Sequence, residues 1–200
     1  YGGISQKNAF LGNLDLTLSL SSEKAKMWKN GTFFLYLLNN HGTSLSQYVG
    51  DIQGVDNIEA PPHSRLYQLW YQQQFNKWTF TVGQHDLNSI FCTTNYGGTF
   101  INSSFGIQPD ISANVPVSIF PIASLGFIAS YQANKHFKIT AAVYDGSPET
   151  PNSNPSFINW KLTKEEGILS IVEFEFNNKH SKRGSTYKIG AWNHSSDSHY

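Results

Sequence analysis

The stretch FNKWTFTVGQHD, residues 75–86, decides how the rest of the chain is read. From Trp78 onward it alternates. Trp78, Phe80 and Val82 share one face, and Thr79, Thr81 and Gly83 share the other. A period of two is a β-strand, here with one apolar face and one small, polar face. In a soluble sandwich the aromatic face points into a core. In a membrane barrel it points out into lipid, and the polar face lines water. The alternation alone fits both, so the choice rests on the rest of the chain.

Composition narrows it. Charged residues make up 14% of the 200 positions, against roughly 25% in ordinary soluble domains. Aromatic residues are also 14% and the formal net charge is zero. Mean hydropathy is nevertheless −0.37. The missing charge is replaced by Asn, Ser, Thr, Gln and Gly, which suits strands that bury one face and keep the other neutral and wet. Without net charge or a basic tract, electrostatic binding of nucleic acid is not expected. The single cysteine, Cys92, excludes an internal disulfide and reads as an inert small residue rather than a catalytic thiol. The longest apolar run is FFLYLL, 33–38, far short of the roughly 20 residues of a transmembrane helix. A membrane-spanning reading therefore requires a β-barrel.

Eight strand-like stretches follow: 10–21, 32–40, 65–75, 78 to about 85, 122–133, 137–144, 167–177 and 186–195. Most have the length that a tilted strand needs to cross a bilayer, about 9–11 residues. Their connections are 22–31, 41–64, 76–77, 86–121, 134–136, 145–166 and 178–185. Short and long alternate without exception. Outer-membrane barrels have this pattern, with short periplasmic turns and long outer loops. A soluble sandwich has no reason to obey it. Aromatics also gather at the short connections: Trp28, Phe75, Trp78, Tyr131, Phe137, Phe176 and Tyr187. That is the distribution of an interfacial girdle. Trp78 and Phe80 are thus expected to face lipid, and Thr79, Thr81 and Gly83 a water-filled lumen. The expected fold class is all-β, a transmembrane antiparallel β-barrel. The chain starts at Tyr1 and stops at Tyr200 inside an apparent strand pattern. It is read as one partial barrel domain, 1–200, truncated at both ends, whose eight strands are about half of a roughly sixteen-stranded pore.

Several segments in order, IQGVDNIEAPPHSRLYQLWYQQQF (52–75), TVGQHDLNSIF (81–91), FINSSFGIQPDIS (100–112), ASLGF (123–127), AVYDGSP (142–148) and EEGILSIVEFEF followed by YKIGAWNHS, resemble the carbohydrate-selective porins of the OprB-like family. The resemblance covers nearly the whole chain. It implies a sixteen-stranded outer-membrane barrel that passes sugars by diffusion, with loops folded inward to narrow the pore. Its partners would be mono- or oligosaccharides and outer-membrane lipid. Such transport needs no energy source and no cofactor. A general diffusion porin and a soluble β-sandwich carbohydrate binder are the alternatives.

A sugar pore needs neutral donors and acceptors, a few charges and aromatic faces, with binding weak enough for release. Arg65 carries a five-donor fork suited to sugar hydroxyls. Its alternative role is an ion pair with Glu59 or Asp86. Glu59, stiffened by Pro61 and Pro62, reads more naturally as that partner than as a sugar ligand. Trp70 alternates with Tyr71 and shares a face with Gln68 and Gln72, so it is a candidate stacking platform. Gln84, Asp86 and Asn88 cluster at the outer end of the fourth strand and could bind hydroxyls, or Asp86 could hold the base of the next loop. That loop, 86–121, carries Phe91, Tyr96, Phe100, Asn102, Phe105 and Asp110 and is too long to be idle. It is expected inside the barrel. The alternatives are a lid across the mouth and a contact between protomers, which would imply a homo-oligomer. Glu173 and Glu175 should face the lumen opposite Lys188 as a cross-strand charged wall.

Enzymatic chemistry is not expected. A glycosidase needs two carboxylates across one bond, and Glu173 and Glu175 are neighbours on one strand. His194, Asp197 and His199 in HSSDSH hint at a metal cluster but read as a polar loop. The sequons at Asn30, Asn102 and Asn193 read as chance.

Overall fold

The computed structural model describes residues 3–94, 96–148, 158, 160, 162, 165–178 and 184–196. Eight strands run in chain order through one antiparallel sheet. They are β1 (Leu11–Ser21), β2 (Gly31–Gly42), β3 (His63–Phe75), β4 (Trp78–His85), β5 (Ser124–Gln132), β6 (Phe137–Asp145), β7 (Ile168–Asn178) and β8 (Ser185–His194). Each boundary lies within two residues of the sequence expectation. Every strand pairs with its sequence neighbour, and β1 and β8 are the sheet's edges. No helix among the described residues is long and apolar enough to cross a membrane. The connections alternate as expected, so all short turns lie at one end of the sheet and all long ones at the other.

The outer face carries the apolar residues of the alternation. Leu14, Leu16, Leu18 and Leu20 of β1 are exposed, Leu16 at 62%, and so are Tyr187 and Ile189 of β8. An exposed apolar face of this extent marks a surface covered by lipid or by another protein. Toward the short turns this face becomes a band of rings in contact. Phe33 lies 4.6 Å from Tyr71, Trp78 lies 4.7 Å from Tyr131, and Phe137 lies 4.9 Å from Phe176. Trp28 donates its indole N–H to the Tyr71 hydroxyl at 2.7 Å. Trp78 is 45% exposed, and Phe80 stacks beside it at 5.7 Å.

Register sorts the inner face into rows. The first runs Gln72, Thr81, Ile128, Ala142, Ile171, Trp192 from β3 to β8. Nearer the short turns come Gln74, Thr79, Ser130, Thr140, Glu173 and Gly190. Then come Gln132, Lys138, Glu175 and Lys188. Polarity therefore increases toward the short turns. The expectation that Thr81 and Gly83 face a water-filled lumen is corrected here. Thr81 is only 2% exposed and accepts a hydrogen bond from the Gln72 amide at 3.0 Å, and Gly83 is buried. These positions face inward but lie under other groups.

One register shift breaks the alternation. Tyr36 pairs with Gln68 and Leu37 with Leu66, so Tyr67 is an extra residue in β3. The extra residue inverts the alternation, so Leu66, opposite outward Leu37, and Gln68, opposite inward Tyr36, lie on opposite faces. Leu38 (paired with Arg65) and Tyr67 form a small core with Ala123, while Trp70 stacks on Phe34 at 4.8 Å.

Gly126 has a defined packing role. A Cβ there would stand 2.5 Å from the ring of Tyr144. The bare glycine lets that ring lie flat across the wall until its hydroxyl reaches His85 Nδ1 at 3.1 Å. Gly126→Val is expected to cost about 1–3 kcal/mol through overpacking. Guanidinium unfolding in detergent micelles should show a lower midpoint. Gly98→Ala, where a Cβ meets nothing within 4 Å, should not move it.

Candidate functional site

The connection 86–123 folds onto the inner face. Its apolar residues decide this. Leu87, Phe91 and Ile111 are fully buried against Ile128, Tyr144, Leu169 and Ile171 of the wall. Each such side chain contributes about 1.5–3 kcal/mol, more than any single polar contact in the region. Ser118 fixes the return of the loop. Its hydroxyl donates to the His85 carbonyl at 2.8 Å and accepts from the Ser124 amide at 2.7 Å. Phe100 and Phe105 stack on each other at 4.2 Å and remain half exposed.

A second long connection, 43–62, is tied to the first. Asn57 N–H donates to the Ile101 carbonyl at 2.6 Å, and Ser103 N–H to the Gly54 carbonyl at 3.2 Å. Asn102 donates to Asp51 Oδ2 at 3.4 Å, and its carbonyl accepts from Ser104 N–H at 3.0 Å. Asn102 thus joins the two loops.

Several expected sugar contacts have other work. Arg65 is 5% exposed, and its guanidinium donates to the carbonyls of Pro61 at 3.1 Å and Pro121 at 3.4 Å. It braces both long connections from the wall. Glu59 is not its partner. The Glu59 carboxylate accepts from the hydroxyls of Ser44 and Ser46 and from the amide of Asp56. Burial would raise its pKa, but these hydrogen bonds outweigh burial and leave it lowered. Gln84 is 1% exposed and has no surface to offer a solute. Its amide donates to the carbonyls of Leu66 at 2.9 Å and Tyr67 at 3.1 Å. The β3–β4 ladder begins only at Leu69 and Gln84, so the side chain satisfies the carbonyls beside the bulge. Asp86 caps the helical turn Leu87–Ser89 by accepting from Asn88 N–H at 2.9 Å. Asn88 donates to the Phe91 carbonyl at 3.1 Å. Trp70 faces inward, but it stacks on Phe34, leans on His85 at 5.8 Å and donates its indole N–H to Gln68 at 3.1 Å.

Open space lies elsewhere, between the inner loop and β7–β8. A cavity of about 650 Å³ is lined there by Thr94, Tyr96, Gln108, Asp110, Lys188 and Trp192, among others. Trp192 backs onto the apolar cluster and points its indole N–H at Asp110 Oδ2, 3.5 Å away. Lys188 Nζ lies 3.1 Å from Glu173 Oε1 and 3.7 Å from Glu175 Oε2, and donates to Thr93 Oγ at 2.8 Å. The other Glu173 oxygen accepts from the backbone N–H of Cys92 at 3.0 Å. Asp110 is among the loop residues expected inside the barrel from sequence, and the alternation puts Trp192 on the inward face with Lys188, but no local signal brought the two together. Asp197 and His199 lie outside the described residues, and His194 bonds the Gly146 carbonyl at 2.8 Å. No metal-holding cluster occurs among the described residues.

An eight-stranded antiparallel wall, apolar and aromatic-banded outside, with a long loop folded against a polar inner face, is the wall of an outer-membrane pore. The sequence bears this out. The model of the carbohydrate-selective porins, OprB family, matches residues 5–199, and the chain belongs to that family. No curated protein and no solved structure matches the chain. The family is one of channels, not enzymes, and its members reside in the outer membrane.

Asp86 yields a pH test. Burial pushes its carboxyl up to about 6. A carboxyl whose folded pKa exceeds its unfolded value stabilises the fold below the unfolded pKa and loses that contribution as pH rises through the folded one. Asp86→Asn keeps an acceptor for Asn88 N–H without the charge. It is expected to raise the thermal midpoint in micelles at pH 7–8 and to leave it unchanged near pH 4.

Proposed function

We propose that this chain forms part of the wall and the constriction of a water-filled barrel through which sugars diffuse passively. It would be one barrel domain over residues 1–200, with its exposed apolar face and aromatic band seated in lipid. The observation that carries the reading is the inner loop held against the wall. It leaves a cavity lined by an indole, amides and hydroxyls together with Asp110, Glu173 and Lys188, charges of both signs. Such a lining suits a neutral, hydroxyl-rich solute. Trp192 offers the C–H face of a pyranose a flat apolar surface, and Asp110 offers vicinal hydroxyls an acceptor. Arg65, Glu59, Asp86, Asn88 and Asn102 shape the passage by holding its loops, and Gln84 by closing the wall beside the bulge. Trp70 stands in the wall behind it.

Planar-bilayer conductance of the full protein, titrated with glucose and maltose, tests this. Saturable block of the current is the expected result. Trp192→Ala should weaken the block roughly three- to tenfold, the range for losing one aromatic contact. Open channels that no sugar blocks would instead mark a general diffusion porin.

A further inference from the structure

The inner loop approaches the wall at two kinds of contact. Its apolar residues, from Leu87 and Phe91 to Ile111 and Val117, dock on the wall. At residues 92 and 93 polar contacts from β7 and β8 are added. Cys92 has φ of 58°, a left-handed conformation that a residue with a Cβ adopts at a cost. Something outside the local chain must hold it there. Its N–H is taken by Glu173 Oε2 at 3.0 Å, across 81 residues of sequence. The next residue, Thr93, accepts from Lys188 Nζ at 2.8 Å, across 95 residues. Glu173 and Lys188 are themselves joined at 3.1 Å, and Glu175 holds the far side of the ammonium at 3.7 Å. The four residues form one closed chain of contacts, and it borders the 650 Å³ cavity.

We propose that Glu173 and Lys188 are positioning residues of the pore, a charged clasp that fixes loop residues 92–93 against the wall and so sets the width of the passage. Apolar docking supplies adhesion but tolerates sliding. The clasp gives the loop one position, because the carboxylate accepts from one backbone N–H and the ammonium reaches one hydroxyl. Its effect on sugar passage rests on the reading of this cavity as the sugar path. Its effect on the loop does not.

The test therefore reads both. Cys92 is the cysteine of this chain and is partly buried beside the clasp. Purified full-length protein in micelles is treated with a small maleimide, and labelling of the Cys92 peptide is followed by mass spectrometry. Release of one charge-assisted contact should raise the labelling rate about tenfold in Glu173→Ala and in Lys188→Met. Glu173→Gln keeps an acceptor for the Cys92 N–H and should recover part of the protection. In bilayers the same Ala and Met variants should show larger open-pore conductance and weaker glucose block. Thr93→Val, which leaves both charges in place, serves where Glu173→Ala does not fold, and should raise labelling less. Unchanged labelling in folded barrels of Lys188→Met and Thr93→Val overturns the clasp. Faster labelling with unchanged conductance overturns its role in setting the width. Loss of sugar block in the unsubstituted protein would instead count against the sugar path and leave the labelling result standing.

Discussion

Unpaired backbone groups cannot be tolerated where no water reaches them, and this constraint organises the whole molecule. Each strand answers it by pairing with its sequence neighbour over nearly its full length. Once the ladders are in place, side-chain direction has no freedom left. A residue's face follows from its register, and the eight strands sort themselves into an apolar outside and a polar inside. The constraint also explains Gln84. Where the Tyr67 bulge leaves the carbonyls of Leu66 and Tyr67 beyond the ladder's end, a side-chain amide takes the place of the missing backbone donors.

The inner face then divides between adhesion and passage. Apolar residues sit in the rows near the long connections, at Ile128, Tyr144, Leu169 and Ile171, and these seat the inner loop. Hydroxyls, amides and charges take over toward the short turns. A loop of this length cannot stay inside a barrel on polar contacts alone, because water competes for each of them. Nor can apolar docking alone define an aperture, because it is not directional. The arrangement uses burial to keep the loop inside and hydrogen bonds to carbonyls and amides to say where.

Legibility in the sequence tracks the range of the interactions. Strand positions, the alternating connections and the inward faces of Glu173 and Lys188 follow from spacings of two residues, so they could be read directly. The expectation that residues 86–121 enter the barrel followed from their length and aromatic content. The roles of Arg65 and Glu59 could not be read in this way. Arg65 meets a carbonyl 56 residues away, and Glu59 turns back on serines 13 and 15 residues before it. Both were natural partners for each other by charge. Among the described residues, each meets neutral groups of the loops instead. No rule of local spacing carries that information, because backbone carbonyls and hydroxyls have no sequence signature.

Trp70 and Trp192 show why the passage we propose lies toward β7 and β8. Both are inward-facing tryptophans, and its glutamine neighbours, Gln68 and Gln72, made Trp70 the sequence candidate. Its register neighbours decide otherwise. Trp70 pairs with Phe34 on one side and with Gly83 on the other, so its ring is stacked and its indole N–H is held by Gln68 within the same strand. Trp192 pairs with Ile171 and lies beside the loop's edge rather than beneath its core. Its indole N–H meets Asp110 at 3.5 Å, a long contact that a competing hydroxyl could displace with little loss. An aromatic ring already stacked is part of a wall. One that backs onto an apolar cluster and fronts a cavity is left accessible, as the binding surface we propose requires, and the sheet's register, not the residue's identity, separates the two.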